Sequence, residues 1–261
     1  MLATFLIICS SATGLEKFDH PIKENDNLSF LVIGDYNQSA VAFQMGRIGE
    51  ELDIDFVVST GDNFFIIMVL GNHDYRGDAE AQLSPYLRKI DSRWICLRSF
   101  IINAAEIAEI FMVDTTPFVR EYFIETEHTY DWRNVMPQKT YTEHVLKSKM
   151  EIVVGHHTIR SVGHHGDTNE LAYDVDLYMN GHDHCLEHIS DSESAVQFLT
   201  SKAWRRDVKS LNREGMKFFY DGQGFMSVQL TPTHVDIQFY DVFAKVLHKW
   251  SRSKQLLHTI I

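Results

Sequence analysis

Five segments of this chain end an apolar run in a glycine and then present a side chain able to bind a metal. They are Leu31-Val32-Ile33-Gly34-Asp35, Val57-Val58-Ser59-Thr60-Gly61-Asp62, Val69-Leu70-Gly71-Asn72-His73-Asp74, Ile152-Val153-Val154-Gly155-His156-His157 and Leu177-Tyr178-Met179-Asn180-Gly181-His182-Asp183-His184. The set Asp35, Asp62, Asn72, His156, His182 and His184 combines carboxylate, amide and imidazole without a thiolate, which suits hard to borderline divalent or trivalent cations. Two such cations about 3.5–4 Å apart need a shared ligand. A carboxylate with two oxygens, such as Asp62, can bridge them while both cations offset its buried charge. Metal-bound water loses a proton near or below neutral pH, and the hydroxide attacks an electrophile such as phosphorus. The chemistry expected is hydrolysis of a phosphate ester. Singly, a Gly-Asp after a strand is a turn and His164-His165 a surface pair; five glycine exits carrying ligand-type residues in order are what point to a metal centre. Of 14 histidines, eight fall between His144 and His188, and such a concentration needs a reason.

The elements that must position these residues follow from the same runs. Continuous β-branched and apolar stretches suit strands buried on both faces. Between the first two runs, Val41, Ala42, Met45, Ile48, Gly49 and Leu52 fall at helical spacing, giving strand, helix, strand and an α/β arrangement. Sites in open α/β sheets lie beyond the carboxyl ends of the strands, where each glycine exit delivers its polar residue. Toward the C-terminus, Met216 to Leu230, Val235 to Tyr240 and Val246 to Trp250 read as antiparallel strands with Asp221-Gly222 as a turn, a closing sheet on the same domain.

Composition bounds the alternatives. With 261 residues, 44% hydrophobic and 23% charged, the chain has ample material for a buried core and is neither disordered nor fibrous. A net charge of −12 with scattered basic residues lacks the footprint of a nucleic-acid binder. Neither G-x-G-x-x-G nor G-x-x-x-x-G-K-[ST] occurs, which sets aside a nucleotide-binding loop. Three cysteines make no disulfide scaffold, and no Cys-x-x-Cys pair occurs. The apolar run Leu2 to Cys9, followed by small residues through Gly14, reads as a secretory signal over residues 1–14, with a buried N-terminal strand as the alternative. The run is too short to span a bilayer. Sequons at Asn27-Leu28-Ser29 and Asn37-Gln38-Ser39 agree with secretion. Once the signal is removed Cys96 and Cys185 remain, either free or paired.

Together these residues resemble the purple acid phosphatases, within the calcineurin-like metallophosphoesterases, and most nearly the small plant members. The likeness runs from about Leu28 to Trp250 and includes the stretches Ile54 to Phe64 and Val69 to Pro85. The resemblance implies an α/β fold of the four-layer αββα sandwich type over residues 15–261. It implies a centre pairing Fe(III) with Zn, Mn or Fe(II), and a secreted, extracellular or vacuolar acid phosphatase. The substrates implied are small phosphate monoesters, attacked by a metal-bound hydroxide, with no nucleic acid and no membrane span involved. Position by position, Asp35 would bind the ferric ion, Asp62 would bridge, and His184 would be a second ferric ligand. Asn72, His156 and His182 would hold the divalent metal, and His73, His164 and His165 would position the phosphate and protonate the leaving alkoxide. An imidazolium donates hydrogen bonds to a phosphoryl dianion and is populated in acid, so an acid optimum is expected.

The sequence departs from that pattern in places. Phe65 stands where the family has its iron-binding tyrosine, which predicts weaker iron retention and no purple charge-transfer band, with Tyr36 a poorly placed substitute. Asp62 and Asn72 are ten residues apart, too few for two full parallel strands with a crossover between them. Either the return run shortens, with Ile66 to Met68 as the return segment, or Asn72 reaches the wrong edge. Thr200-Ser201-Lys202 lacks a glycine-rich stretch, and Asn169 to Val175 is short for a helix. These losses support an alternative, a degenerate pseudoenzyme that binds metal or phosphate without turnover.

Overall fold

The computed structural model describes residues 8–10, 15–34, 39–62, 67–135, 150–168, 171, 175–190, 196–202 and 214–253. Asp35, Tyr36, Asn37, Phe65, most of the signal region and most of Asn169 to Val175 lie outside the described residues. The described strands form two sheets. One has nine strands: β1 (Ile8–Ser10), β2 (Glu16–Asp19), β7 (Ser99–Ala104), β8 (Ala108–Val113), β9 (Met150–Val154), β10 (Val175–Asn180), β11 (Leu186–Ser190), β12 (Gln197–Ser201) and β13 (Met216–Tyr220). Their spatial order is β1-β2-β7-β8-β9-β10-β12-β11-β13. The other has seven: β3 (Leu28–Ile33), β4 (Phe56–Ser59), β5 (Ile67–Met68), β6 (Ile95–Cys96), β14 (Gly224–Leu230), β15 (His234–Asp241) and β16 (Val246–Ser253), ordered β16-β15-β14-β3-β4-β5-β6.

The alternation of side chains explains why the sheets stack. In β3, Leu28, Phe30 and Val32 face the second sheet, while Leu31 and Ile33 face the helix α1 (Ser39–Glu51). In β10, Leu177 and Met179 enter the same inter-sheet core while Tyr178 points to the opposite face. Strands with both faces covered read as unbroken apolar runs, as these do. Helix α1 buries Val41, Met45, Ile48 and Gly49, an i, i+4, i+7, i+8 stripe, against the seven-stranded sheet. The architecture is the α/β sandwich expected.

Parallel pairing decides where the exits go. β3, β4, β5 and β6 run parallel in one sheet, and β8, β9, β10 and β12 in the other. The carboxyl ends of β3, β4 and β5, and of β9 and β10, therefore open together at one edge. The short crossover is accommodated by shrinking a strand: β5 has two residues, pairing Ile67 with Val58 and Met68 with Ser59. Of the two outcomes posed by the sequence, the run shortens and Asn72 reaches the correct edge, but Ile67 and Met68 form the parallel strand itself and not the return segment expected of Ile66 to Met68.

One expectation is corrected. Met216 to Leu230 is not one antiparallel unit turning at Asp221-Gly222, because β13 pairs with β11 in the nine-stranded sheet whereas β14 pairs with β3 and β15 in the other. β13 is only half-buried, as an edge strand is, and β14 is nearly all buried. Asp221 and Gly222 carry the chain between sheets. Cys96 and Cys185 are both buried and free, which resolves the open choice. No helix among the described residues is long and apolar enough to cross a membrane.

Candidate active site

Four donor atoms meet at the common edge of the two sheets. His156 Nε2 lies 3.0 Å from Asn72 Oδ1, 3.0 Å from His182 Nδ1 and 3.3 Å from Asp62 Oδ2. All four side chains are buried. His156 Nδ1 lies 2.7 Å from the Thr60 carbonyl, which can only accept, so Nδ1 carries the hydrogen and Nε2 of the neutral ring presents a lone pair. The amide oxygen and carboxylate oxygen facing it are also acceptors. Burial pushes the His182 imidazole well down, and the neighbouring His157 and His156 rings disfavour a further proton, so its neutral, ligand-competent form is favoured. Lone pairs converging without a donor between them are stabilised by a cation. Ligands about 2.0–2.2 Å from a shared ion stand about 3 Å or slightly more apart, the spacing seen here. Asp62 Oδ2 is buried and accepts no well-formed hydrogen bond, consistent with a place in that set. Burial alone would raise the Asp62 carboxyl, but the adjacent His156 ring and the Lys202 ammonium hold it well below the usual range.

Backbone geometry aims these groups. Gly61 and Asp62 both have positive φ, 100° and 61°, a tight turn that a glycine adopts freely and an aspartate tolerates. Asp74 closes the short crossover: its Oδ2 accepts the Gly71 amide at 2.7 Å and the Asp62 amide at 3.1 Å, and Gln82 donates to Oδ1 at 2.7 Å. One carboxylate thus ties together the two exits that are ten residues apart. On the other sheet, Thr115 Oγ1 accepts the amides of His156 and His157, each at 3.1 Å. His157 belongs to a compact trio of imidazoles with His156 and His182. Both its ring nitrogens are engaged, however, Nδ1 at 2.9 Å from Thr115 Oγ1 and Nε2 at 3.0 Å from the Tyr122 hydroxyl. It therefore supports the ligand layer rather than joining it.

The remaining residues singled out by the sequence line the rim. His73 follows Asn72, and its amide donates to Asp62 Oδ1 at 2.9 Å. Its ring is exposed, and partial desolvation lowers the imidazole although Asp62 opposes this. His164 and His165 are exposed and adjacent, with ring centroids 5.1 Å apart. His165 lies over His182 at 4.1 Å and 6.0 Å from the half-buried His184. Asp183, between the two histidines of His182-Asp183-His184, accepts the amides of His165 at 2.7 Å and Gly166 at 3.1 Å and so pulls that loop onto the site. Asp62, Asn72, His156 and His182 are in direct reach of one another, His73 and His165 flank them, and His184 stands behind His165. Asp35 lies outside the described residues.

Sequence reasoning missed Asp74, Asp183, Thr115 and Lys202. Asp74 and Asp183 sit inside the quoted segments and carry ligand-type side chains, but nothing in their spacing says that they bind backbone amides instead of metal. Lys202 is 1% exposed, with Nζ 3.5 Å from Asp62 Oδ2 and 3.4 Å from the His182 carbonyl.

Comparison with known proteins adds an independent line. The family model described as calcineurin-like phosphoesterase matches residues 13–186. Purple acid phosphatase 17 of Arabidopsis thaliana is 49% identical over 321 aligned residues covering 100% of this chain and 94% of the relative. Purple acid phosphatase 4 of the same plant is 50% identical, with 98% and 93% covered. The aligned spans exceed the length of this chain, as internal deletions require. Among solved structures, GAP50, the anchor in the inner membrane complex of Plasmodium, superposes with a TM-score of 0.67 at 19% identity, covering 87% of this chain and 89% of its own, a likeness of fold.

Proposed function

The chain belongs to the calcineurin-like phosphoesterases, as a homologue of the purple acid phosphatases, and on that premise we propose that it hydrolyses small phosphate monoesters in acid at a metal centre built on Asp62, Asn72, His156 and His182. The observation that carries this is the approach of Asn72 Oδ1, His182 Nδ1 and Asp62 Oδ2 to within 3.0–3.3 Å of His156 Nε2. Those four residues would hold a divalent ion, Zn, Mn or Fe(II). For a second, ferric ion the chain offers Asp35 and His184 beyond the shared Asp62, since Phe65 has no donor atom. Bound metal supplies Lewis-acid polarisation of the phosphoryl group and a nucleophile at acidic pH.

The protein's own groups supply the rest. His73, His164 and His165 are exposed, and in this reading they meet the incoming phosphate. As imidazolium ions they would donate to its equatorial oxygens, and a ring N–H among them would deliver the proton that the leaving alkoxide needs. The Thr60 carbonyl and Thr115 hydroxyl fix His156, so the site is organised before substrate arrives. As a secretory signal the apolar Leu2 to Cys9 run would direct the protein to the extracellular or vacuolar space; its last residues, Ile8 and Cys9, pair with β2, the strand that the sequence left as the alternative.

The test is hydrolysis of p-nitrophenyl phosphate by the purified protein between pH 4 and 8, before and after chelation. Turnover with an acid optimum, lost with chelator and restored by Zn or Mn, is the expected result. Absence of chelator-sensitive hydrolysis at every pH would overturn it in favour of a degenerate binder.

A further inference from the structure

Lys202 leaves the end of β12 in register with the end of β10, because Thr200 pairs with Asn180 and each strand runs on two residues to Lys202 and His182. The segments that deliver Asp62, Asn72, His156 and His182 enter this edge through a glycine, whereas here a lysine follows Ser201 directly. A side chain must therefore go where a glycine would leave space. The Ser201 carbonyl abuts Gly34, since a Cβ added there would stand 2.9 Å from it, which puts the start of Lys202 beside the end of β3. Its ammonium is buried, 3.5 Å from Asp62 Oδ2 and 3.4 Å from the His182 carbonyl. A buried ammonium requires an opposite charge and further acceptors, and these are what it meets.

The two Asp62 oxygens are thereby committed. Oδ1 accepts the His73 amide at 2.9 Å, and Oδ2 lies 3.3 Å from His156 Nε2 and 3.5 Å from Lys202 Nζ. A bridging carboxylate needs a second cation, and beside Asp62 Oδ2 the chain carries a positive charge of its own. We propose that Lys202 is a built-in cation at the Asp62 carboxylate and that the site takes up one divalent metal ion instead of two. This rests on the metal-site reading above and refines it. Phe65 fits the same outcome from sequence, since a half-site already holding an ammonium has no use for a ferric phenolate.

The test is metal stoichiometry, read without reference to turnover. The full chain is stripped, loaded with excess Zn²⁺ alone, desalted and analysed by native mass spectrometry alongside elemental analysis. Wild type is expected to hold one equivalent. Lys202→Met, which keeps the length of the side chain and removes the charge, should hold two, and Lys202→Arg should stay at one. Two equivalents in wild type would overturn the built-in cation while leaving the metal-dependent reading intact, and that measurement needs no variant to fold. A folded Lys202→Met protein that still binds one equivalent would overturn it as well. No zinc in wild type would overturn the metal-site reading itself.

Discussion

The Thr60 carbonyl holds His156 Nδ1 at 2.7 Å, and this hydrogen bond turns Nε2 into the lone pair around which the other donors gather. Thr60 belongs to the turn that delivers Asp62, so one strand exit supplies a ligand and orients a second from the opposite sheet. Removing either ligand dismantles the set. Asp62→Asn and His156→Ala should each lose bound divalent metal and drop turnover by more than about a hundredfold, the upper end of what changes outside the ligand layer cost. Elemental analysis and p-nitrophenyl phosphate kinetics check both.

Asp74 makes a different kind of contribution. It accepts the amides of Asp62 and Gly71 and the Gln82 side-chain amide and is buried, so Asp74→Ala leaves three donors without this acceptor. A stability loss of about 1–3 kcal/mol is expected. Metal affinity should weaken by about 10–100-fold, as when other supporting residues are removed. Urea unfolding and competition with a chromophoric zinc chelator measure the two separately.

Gly71→Ala separates site from scaffold. Gly71 has φ −110°, so alanine brings no backbone strain. Its Cβ would, however, meet Asp62 Oδ1 and would stand 2.7 Å from His156 Nδ1. Metal binding is expected to fall by at least about tenfold, with far-ultraviolet circular dichroism unchanged. A variant that bound metal normally would show that the glycine exit is not required for the close approach.

Much of this cluster was legible in the sequence because each proposed ligand follows a glycine at the end of an apolar run, and parallel strands bring such ends to one edge. That logic located Asp62, Asn72, His156 and His182. It gave no role to Asp74, Asp183 or Thr115, whose partners are backbone amides set by tertiary packing and marked by no periodicity. The split of Met216 to Leu230 between sheets was equally hidden: β13 and β14 have similar apolar content, and only pairing with β11 or β3 distinguishes them. The short crossover was legible as a geometric conflict, and its resolution in a two-residue β5 is the one that chain length allows.

Two buried groups away from the ligands set opposing pH dependences. Burial raises Asp114 to about 6, although the Tyr75 hydroxyl and Arg98 pull it down. Between the ordinary aspartate value, about 3.8, and 6 the native state keeps a proton that the unfolded chain releases. Acidification from pH 7 to 4 therefore stabilises the fold through this group, by up to about 3 kcal/mol. Asp114→Asn lacks the term, so its stability relative to wild type should be higher at pH 7 than at pH 4.5. Urea midpoints at both pH values measure the difference.

His188 works in the other direction. It is buried with Nδ1 3.0 Å from His248 Nε2 and Nε2 2.9 Å from Gln197 Oε1, and burial lowers it to about 4. The unfolded chain takes up a proton near 6.5 that the native imidazole refuses until about 4, so stability contributed by this residue is present above 6.5 and lost as pH falls to 4. The loss is up to about 3 kcal/mol. An enzyme working in acid would carry that penalty, and His188→Gln should remove it while leaving the metal ligands untouched. Relative to wild type, the variant is expected to gain stability between pH 7 and 4.5, opposite in sign to Asp114→Asn, so measuring both with the same denaturant distinguishes the two buried groups from a general effect of net charge.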